Sequence, residues 1–208
     1  MKQNLIIFDA DEVLFDHLGG LSEFVQSEYG ITPNGKYPTD YNLCSWLGVP
    51  QEKVQEIIKD FNENSYKFGL LKALDPSAPG IVNGMRNAWS DVKFAVLTKS
   101  GTGGHGDVLR RVNIENIYPN AFQEVIIIEM HESKLEALTR LRDEYNVVAF
   151  VDDYIQNIDD GVSLGIPSVM LSRPHNEKYR DSSDDFYYVD TWGQLLAKLV
   201  ILYNENKV

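Results

Sequence analysis

The sequence predicts an α/β protein built on a doubly wound parallel sheet. Three observations carry that expectation. Short apolar runs recur along the chain, amphipathic helical stretches separate them, and several of the runs end in Asp or Thr. Strands and helices alternating at this spacing favour right-handed βαβ units, which set the strands parallel and bury them on both faces.

The first run is Leu5-Ile6-Ile7-Phe8, with Asp9 and Asp11 following where the strand should end. Beyond Asp16, residues Leu21, Phe24, Val25 and Tyr29 share one helical face, with Ser22 available as a cap. Residues 30–50 mix Gly, Pro, Asn and Thr with Tyr37, Tyr41 and Trp46, the composition of a structured loop. A second helix is expected over 51–61, where Val54, Ile57, Ile58 and Phe61 form its stripe. Asp75-Pro76-Ser77-Ala78-Pro79-Gly80 then punctuates the chain. Residues 16–75 are helical and interrupt the strand and helix alternation. They read as a small helical cap inserted after strand one, with residues 1–15 and 76–208 forming the core.

A helix over 81–89 presents Ile81, Val82, Met85 and Trp89, and 93–97 is the second strand, ended by Thr98. A glycine-rich loop over 100–106 leads into a helix through Val108, Leu109 and Val112. Residues 125–128 are the third strand, Ser133 caps a helix running to about 145, and 147–151 are the fourth strand, ended by Asp152 and Asp153. A helix carrying Ile158, Val162 and Leu164 precedes the fifth strand at 168–171. The polar excursion over 172–190 leaves room for a short strand near 186–189, and a helix spans 192–203.

Parallel strands bring their carboxyl ends to one edge, where an open sheet binds its ligands. Asp9 and Asp11, Thr98, and Asp152 with Asp153 should therefore share a crevice. Carboxylates that close together either share a proton or hold a cation. Lys134, at a helix start, supplies positive charge for an anion, and Lys99 beside Thr98 is a further candidate. The plainer readings are an Asx turn after the first strand and a solvated first-turn lysine. What outweighs them is the coincidence of three strand ends with compatible chemistry.

Composition narrows the function. A net charge of −12 opposes nucleic acid as a partner and repels phosphorylated substrates unless a metal ion or a local cation offsets the field. No apolar run is long enough to span a bilayer, so no membrane partner is expected. The first apolar segment is too short for a signal peptide, and the single cysteine, Cys44, fits a reducing cytoplasm.

In order, LIIFDADEVLFD, FAVLT, Lys134 and VVAFVDDYIQN resemble the motifs of the haloacid dehalogenase superfamily of phosphohydrolases. The resemblance implies a sheet of order 5-4-1-2-3 and a phosphomonoester substrate of small-molecule size. It casts Asp9 as nucleophile, Asp11 as general acid and base, and Thr98 and Lys134 as ligands of the phosphoryl oxygens. It also implies Mg²⁺ held by Asp9, Asp153 and the backbone carbonyl of Asp11, with Asp152 and Asn157 in support. Three departures stand out: Glu12 where many members have Gly, Asn157 where many have Asp, and no Pro after Lys134. Asp11 itself favours a phosphatase over a dehalogenase, because the dehalogenases of the superfamily lack that acid. The stretch DADEVLFDHLGG followed by Phe24 is similar to 5′-deoxyribonucleotidases. That similarity implies a nucleoside 5′-monophosphate, and the cap aromatics Tyr41, Trp46, Tyr66 and Phe68 are candidates to stack on its base. The Gly19-Gly20 step, with no side chains, is expected to pass close to the crevice. The other reading of these aromatics is the apolar core of a small cap.

Two rivals come from other classes. Gly101-Thr102-Gly103-Gly104-His105-Gly106 matches the G-x-G-x-x-G dinucleotide fingerprint, with Glu129 as the ribose acid of an oxidoreductase. Its glycines trail Leu97 by three residues, however, and do not follow the first strand. The second rival is a catalytically silent binding protein that keeps the fold. Both motif-one acids argue against it, since folding requires no pair of carboxylates in a crevice.

Overall fold

Leu5, Ile6, Ile7 and Phe8 are fully buried, as a strand covered on both faces must be. They form β1 (Asn4–Phe8) at the centre of a six-stranded sheet in the computed structural model, which describes residues 2–206. The other strands are β2 (Val92–Lys99), β3 (Glu124–Ile128), β4 (Asn146–Asp152), β5 (Ser168–Leu171) and β6 (Tyr187–Val189). Every pairing is parallel, in the order β3-β2-β1-β4-β5-β6. Read from the opposite edge, this contains the expected 5-4-1-2-3 and adds β6 outside β5, so the sheet is one strand wider. β6 has only three residues, too few for a period to show, and its place is set by pairing with β5 from Val169↔Tyr187 to Leu171↔Val189.

Helices cover both faces. Ile6, Phe8, Phe94 and Val96 pack with residues of α4 (Ala78–Ala88) and α8 (Trp192–Glu205), whereas Leu5, Ile7, Ala95 and Leu97 pack with α6 (Leu135–Glu144). α5 (His105–Ile117) and α7 (Ile155–Ser163) complete the crossovers. α5 is rotated from the expected face. Val108 and Val112 are 59% and 45% exposed, and the buried side is Gly106, Arg110, Asn113 and Ile114. The inward polar groups are partly bonded: Asn113 Nδ2 donates to the Leu71 carbonyl at 2.9 Å and Arg110 pairs with Asp11, while Asn113 Oδ1 and Arg110 Nε and Nη1 have no hydrogen-bond partner among the described residues.

Between β1 and α4 lie α1 (His17–Tyr29), α2 (Cys44–Leu47), α3 (Gln51–Asn64) and a 3₁₀ turn at Tyr66–Leu70. The ends of this helical insertion are laced together: Asp16 N–H donates to the Lys72 carbonyl and Leu74 N–H to that of Leu14. Its interior side chains Leu21, Phe24, Trp46, Phe61 and Phe68 belong to the same apolar cluster as the sheet face. The cap of α1 is Asp16, whose Oδ1 accepts from Gly19 N–H at 3.0 Å; Ser22 lies inside the helix. Asp16 satisfies an orphan amide of the first turn before the chain reaches Ser22.

Candidate active site

The carboxyl ends of β1, β2 and β4 meet at one edge. Phe8 is in register with Val96 on one side and Val151 on the other, which brings Asp9 beside Asp152 and Asp153. Carboxylate oxygens of Asp9, Asp152 and Asp153 all lie within 4.8 Å of one another. The loop after β1 is rigidly held. The Val13 carbonyl accepts from Trp192 Nε1 at 3.2 Å, and that of Leu14 from the Tyr118 hydroxyl at 2.9 Å.

Lys134 is buried between two of these acids. Its Nζ donates to Asp152 Oδ2 at 2.7 Å and to Asp9 Oδ1 at 2.5 Å. Burial alone would lower the ammonium pKa, but Asp152 and Asp9 more than offset that and hold Lys134 charged. Burial pushes the Asp9 carboxyl well above the usual range, against the pull of Lys134 and with repulsion from Asp152. Asp153 is raised in the same way, by burial first and Asp152 second. Three buried carboxylates thus face one ammonium, and the excess negative charge fits a cation.

The oxygens of Asp152 are committed. Besides Lys134, they accept from Asn157 Nδ2 at 3.1 Å and from Tyr154 N–H at 2.9 Å. Asp152 and Asn157 therefore brace the lysine. Asp9 and Asp153 retain oxygens for a metal, and such hard donors suit Mg²⁺. Asp11 is turned differently, its carboxylate taken by Arg110, a fully buried guanidinium lying 4.3 Å from the Phe68 ring centre. Burial would raise the Asp11 carboxyl, but Arg110 and then His17 bring it below its ordinary value. Thr98 is fully buried inside β2, and its Oγ1 has no hydrogen-bond partner among the described residues.

Asp9, Asp11, Lys99, Lys134, Asp153 and Asn157 line a cavity of about 220 Å³. Tyr41, Tyr154, His175, Leu18, Pro38 and Leu43 form its outer wall. Tyr41 donates its hydroxyl to the Asp153 carbonyl and lies between Tyr154 and His175, with ring centres 4.1 and 4.4 Å away. Lys99 is half-buried, and its pKa is lowered by burial and by Lys134. Trp46 is elsewhere: it is 4% exposed inside the insertion, donates Nε1 to the Gly35 carbonyl at 3.1 Å, and does not line this cavity. The glycine pair is also displaced from the expected place. A Cβ on Gly19 would meet Asp16 and one on Gly20 would meet Leu71, so both serve packing at the start of α1.

Three participants were not singled out from the sequence. Arg110 holds Asp11, Arg173 pairs with Glu12 at 2.5 Å, and His175 Nε2 lies 2.7 Å from Asp153 Oδ2. Burial lowers the His175 pKa to about 4, so the ring is neutral at pH 7. Arg173 and His175 follow β5, and the strand-end rule applied to that strand would have found them.

In the glycine-rich loop Gly101, Gly103 and Gly104 are open, and only Gly106 is covered. A Cβ on Gly106 would lie 2.9 Å from the Asn62 carbonyl, so α3 covers the start of α5. Glu129 is bonded to the Thr102 N–H and hydroxyl.

Solved structures share this architecture over nearly the whole chain. The fold is that of the haloacid dehalogenase-like hydrolases. One such hydrolase from Streptococcus pneumoniae aligns with a TM-score of 0.63 at 12% identity, over 93% of this chain and 97% of that one. A β-phosphoglucomutase from Clostridium difficile aligns at 0.56 and 16% identity, over 99% of each. Protein Tyrosine Kinase A of Mycobacterium tuberculosis aligns at 0.64 and 17%, over 95% and 98%, so the haloacid dehalogenase-like fold spans proteins named for different reactions. By sequence, an uncharacterized 32.4 kDa protein of Enterobacteria phage T4 is 24% identical over 180 residues, 85% of this chain. The match spans 58% of that relative's length. No protein-family model matches the chain.

Proposed function

We propose that the protein hydrolyses phosphate monoesters through an aspartyl-phosphate on Asp9. The carrying observation is the arrangement at β1: Asp9 held by Lys134 at the cavity floor, with Asp11 in the same cavity and Asp153 opposite. In this reading an Asp9 carboxylate oxygen attacks phosphorus, the bond to the leaving oxygen breaks, and the phosphoryl group passes to Asp9. Lys134 and the Thr98 hydroxyl stabilise the charge on the phosphoryl oxygens. The fraction of Asp11 that carries a proton gives it to the leaving oxygen, and the carboxylate so formed takes one from the water that cleaves the aspartyl-phosphate and releases inorganic phosphate. Asp9, Asp153 and the backbone carbonyl of Asp11 would hold Mg²⁺, which would supply charge neutralisation and Lewis acidity.

Residues 16–75 act as the cap over this site and contact the leaving group. Nucleoside 5′-monophosphates are the finer reading. Its support is Tyr41 and Tyr154 on the outer wall with Lys99 nearby, since aromatic faces accept a base and a lone amine accommodates little extra anionic charge. The lone Cys44 is consistent with work in a reducing cytoplasm.

A phosphate-release screen across nucleotides, sugar phosphates and small phospho-acids tests the proposal, with Asp9→Asn and exhaustive chelation as controls. Release that requires both Asp9 and added Mg²⁺ supports it. Full activity in a folded Asp9→Asn protein refutes the covalent step, and sugar phosphates outperforming nucleotides removes the finer reading.

A further inference from the structure

Asp153 is held more firmly than a carboxylate at a strand end requires. Its Oδ2 lies 2.7 Å from His175 Nε2, and its backbone carbonyl accepts from Asn176 Nδ2 at 2.8 Å and from the Tyr41 hydroxyl. His175 is 3% exposed and Asn176 fully buried, so neither is a solvated rim residue. Asn176 also stiffens the turn that carries the histidine. Its Nδ2 reaches the Leu171 carbonyl at 2.9 Å, and its Oδ1 accepts from Arg173 N–H and the Tyr188 hydroxyl, both at 2.8 Å. The imidazole is therefore a fixed group aimed at one oxygen of one acid. Lys134, Asn157 and Tyr154 N–H perform no such service for Asp153: the lysine bonds Asp9 and Asp152, and the other two bond Asp152.

We infer that His175 is the positioning residue of the cation site: its Nε2–H occupies Asp153 Oδ2, leaves Oδ1 as that residue's single ligating oxygen, and so selects Mg²⁺ over Ca²⁺. The inference rests on the reading of Asp9 and Asp153 as cation ligands. Mg²⁺ demands near-octahedral geometry and is served by single oxygens, whereas Ca²⁺ takes roughly six to eight oxygens and often both from one carboxylate. A hydrogen bond that denies the second oxygen penalises the larger ion. With a cation bound Asp153 is ionised and only accepts, so Nε2 must carry the hydrogen. Groups that orient a ligating carboxylate in this way are worth about 10–100-fold in metal affinity.

Calorimetric titration of Mg²⁺, and separately Ca²⁺, into the full chain tests this with the wild type, His175→Gln and His175→Asn. The Gln amide reaches the place of Nε2, and the Asn amide stops short, at the place of Nδ1. Wild type and His175→Gln should bind Mg²⁺ within about threefold of each other and prefer it to Ca²⁺. His175→Asn should lose about tenfold or more for Mg²⁺, with a raised Ca²⁺ to Mg²⁺ affinity ratio. A folded His175→Asn protein with wild-type Mg²⁺ affinity overturns the inference, as does a Gln variant that loses as much as Asn. A wild type that binds Ca²⁺ as tightly as Mg²⁺ overturns it without any variant. Binding of neither ion by the wild type instead refutes the cation site on which the inference rests.

Discussion

Arg173 Nε donates to Glu12 Oε2 at 2.8 Å, joining the loop after β1 to the loop after β5 across 161 positions. Glu12 also accepts from Leu18 N–H at 2.8 Å through Oε1, so one buried carboxylate ties both loops to the first turn of α1. It does so from a left-handed backbone, at φ 58°. Glycine would take that conformation freely, and here the ion pair offsets a cost of about 1–2 kcal/mol.

Glu12→Gly should accordingly destabilise the protein, although glycine suits the backbone better. The loss should be about 1–3 kcal/mol, because Arg173 and the Leu18 amide lose their acceptor. Adding Arg173→Met should recover part of it. Urea unfolding of the two variants and the wild type checks this, and a Glu12→Gly protein as stable as the wild type would refute it.

Arg110 keeps Asp11 ionised, which suits a base and opposes a proton donor. Arg110→Met keeps the packing against Phe15 and Phe68 and removes the charge. The variant should gain on alkyl phosphates relative to aryl phosphates, whose leaving groups need no proton. The kcat ratio for the two substrates, measured at one pH, gives the answer; an unchanged ratio would show that Arg110 does not set the protonation of Asp11.

Lys134→Met should be among the most disruptive single changes. It leaves Asp9 and Asp152 buried without their shared cation, a loss of about 3–5 kcal/mol for a broken buried pair. Asp152→Asn in the same chain should restore much of the stability and none of the phosphate release. Chemical denaturation separates these effects from activity.

Tyr41 and Trp46 should part company. Tyr41→Phe removes the hydroxyl that holds the Asp153 carbonyl at the cavity wall, so KM for substrate and metal should rise while the fold persists. Trp46→Ala empties the interior of the insertion and should cost about 3–5 kcal/mol. Where the variant remains folded, its KM should stay near the wild-type value. Thermal unfolding beside steady-state kinetics distinguishes the two outcomes.

What the sequence by itself determined lies along the strands. Leu5 to Phe8 announce a strand buried on both faces, and a parallel sheet sends every strand's carboxyl end to one edge. Asp9, Asp152 and Asp153 thus fall together by strand direction alone. Local pattern suffices there because pairing and direction are properties of the whole sheet. The tertiary structure alone decided the rest. Which face of α5 turns inward depends on Arg110 meeting an acid 99 positions away, and Val108 and Val112 argued for the opposite face. Whether an aromatic of the 30–50 segment stacks in the insertion, as Trp46 does, or reaches the site, as Tyr41 does, depends on how the insertion settles on the sheet. The bonds of Glu12 and His175 to or from the turn after β5 likewise join chain segments whose relation no period records. Each is a contact between side chains brought together only by folding, and its energy enters after the elements have formed.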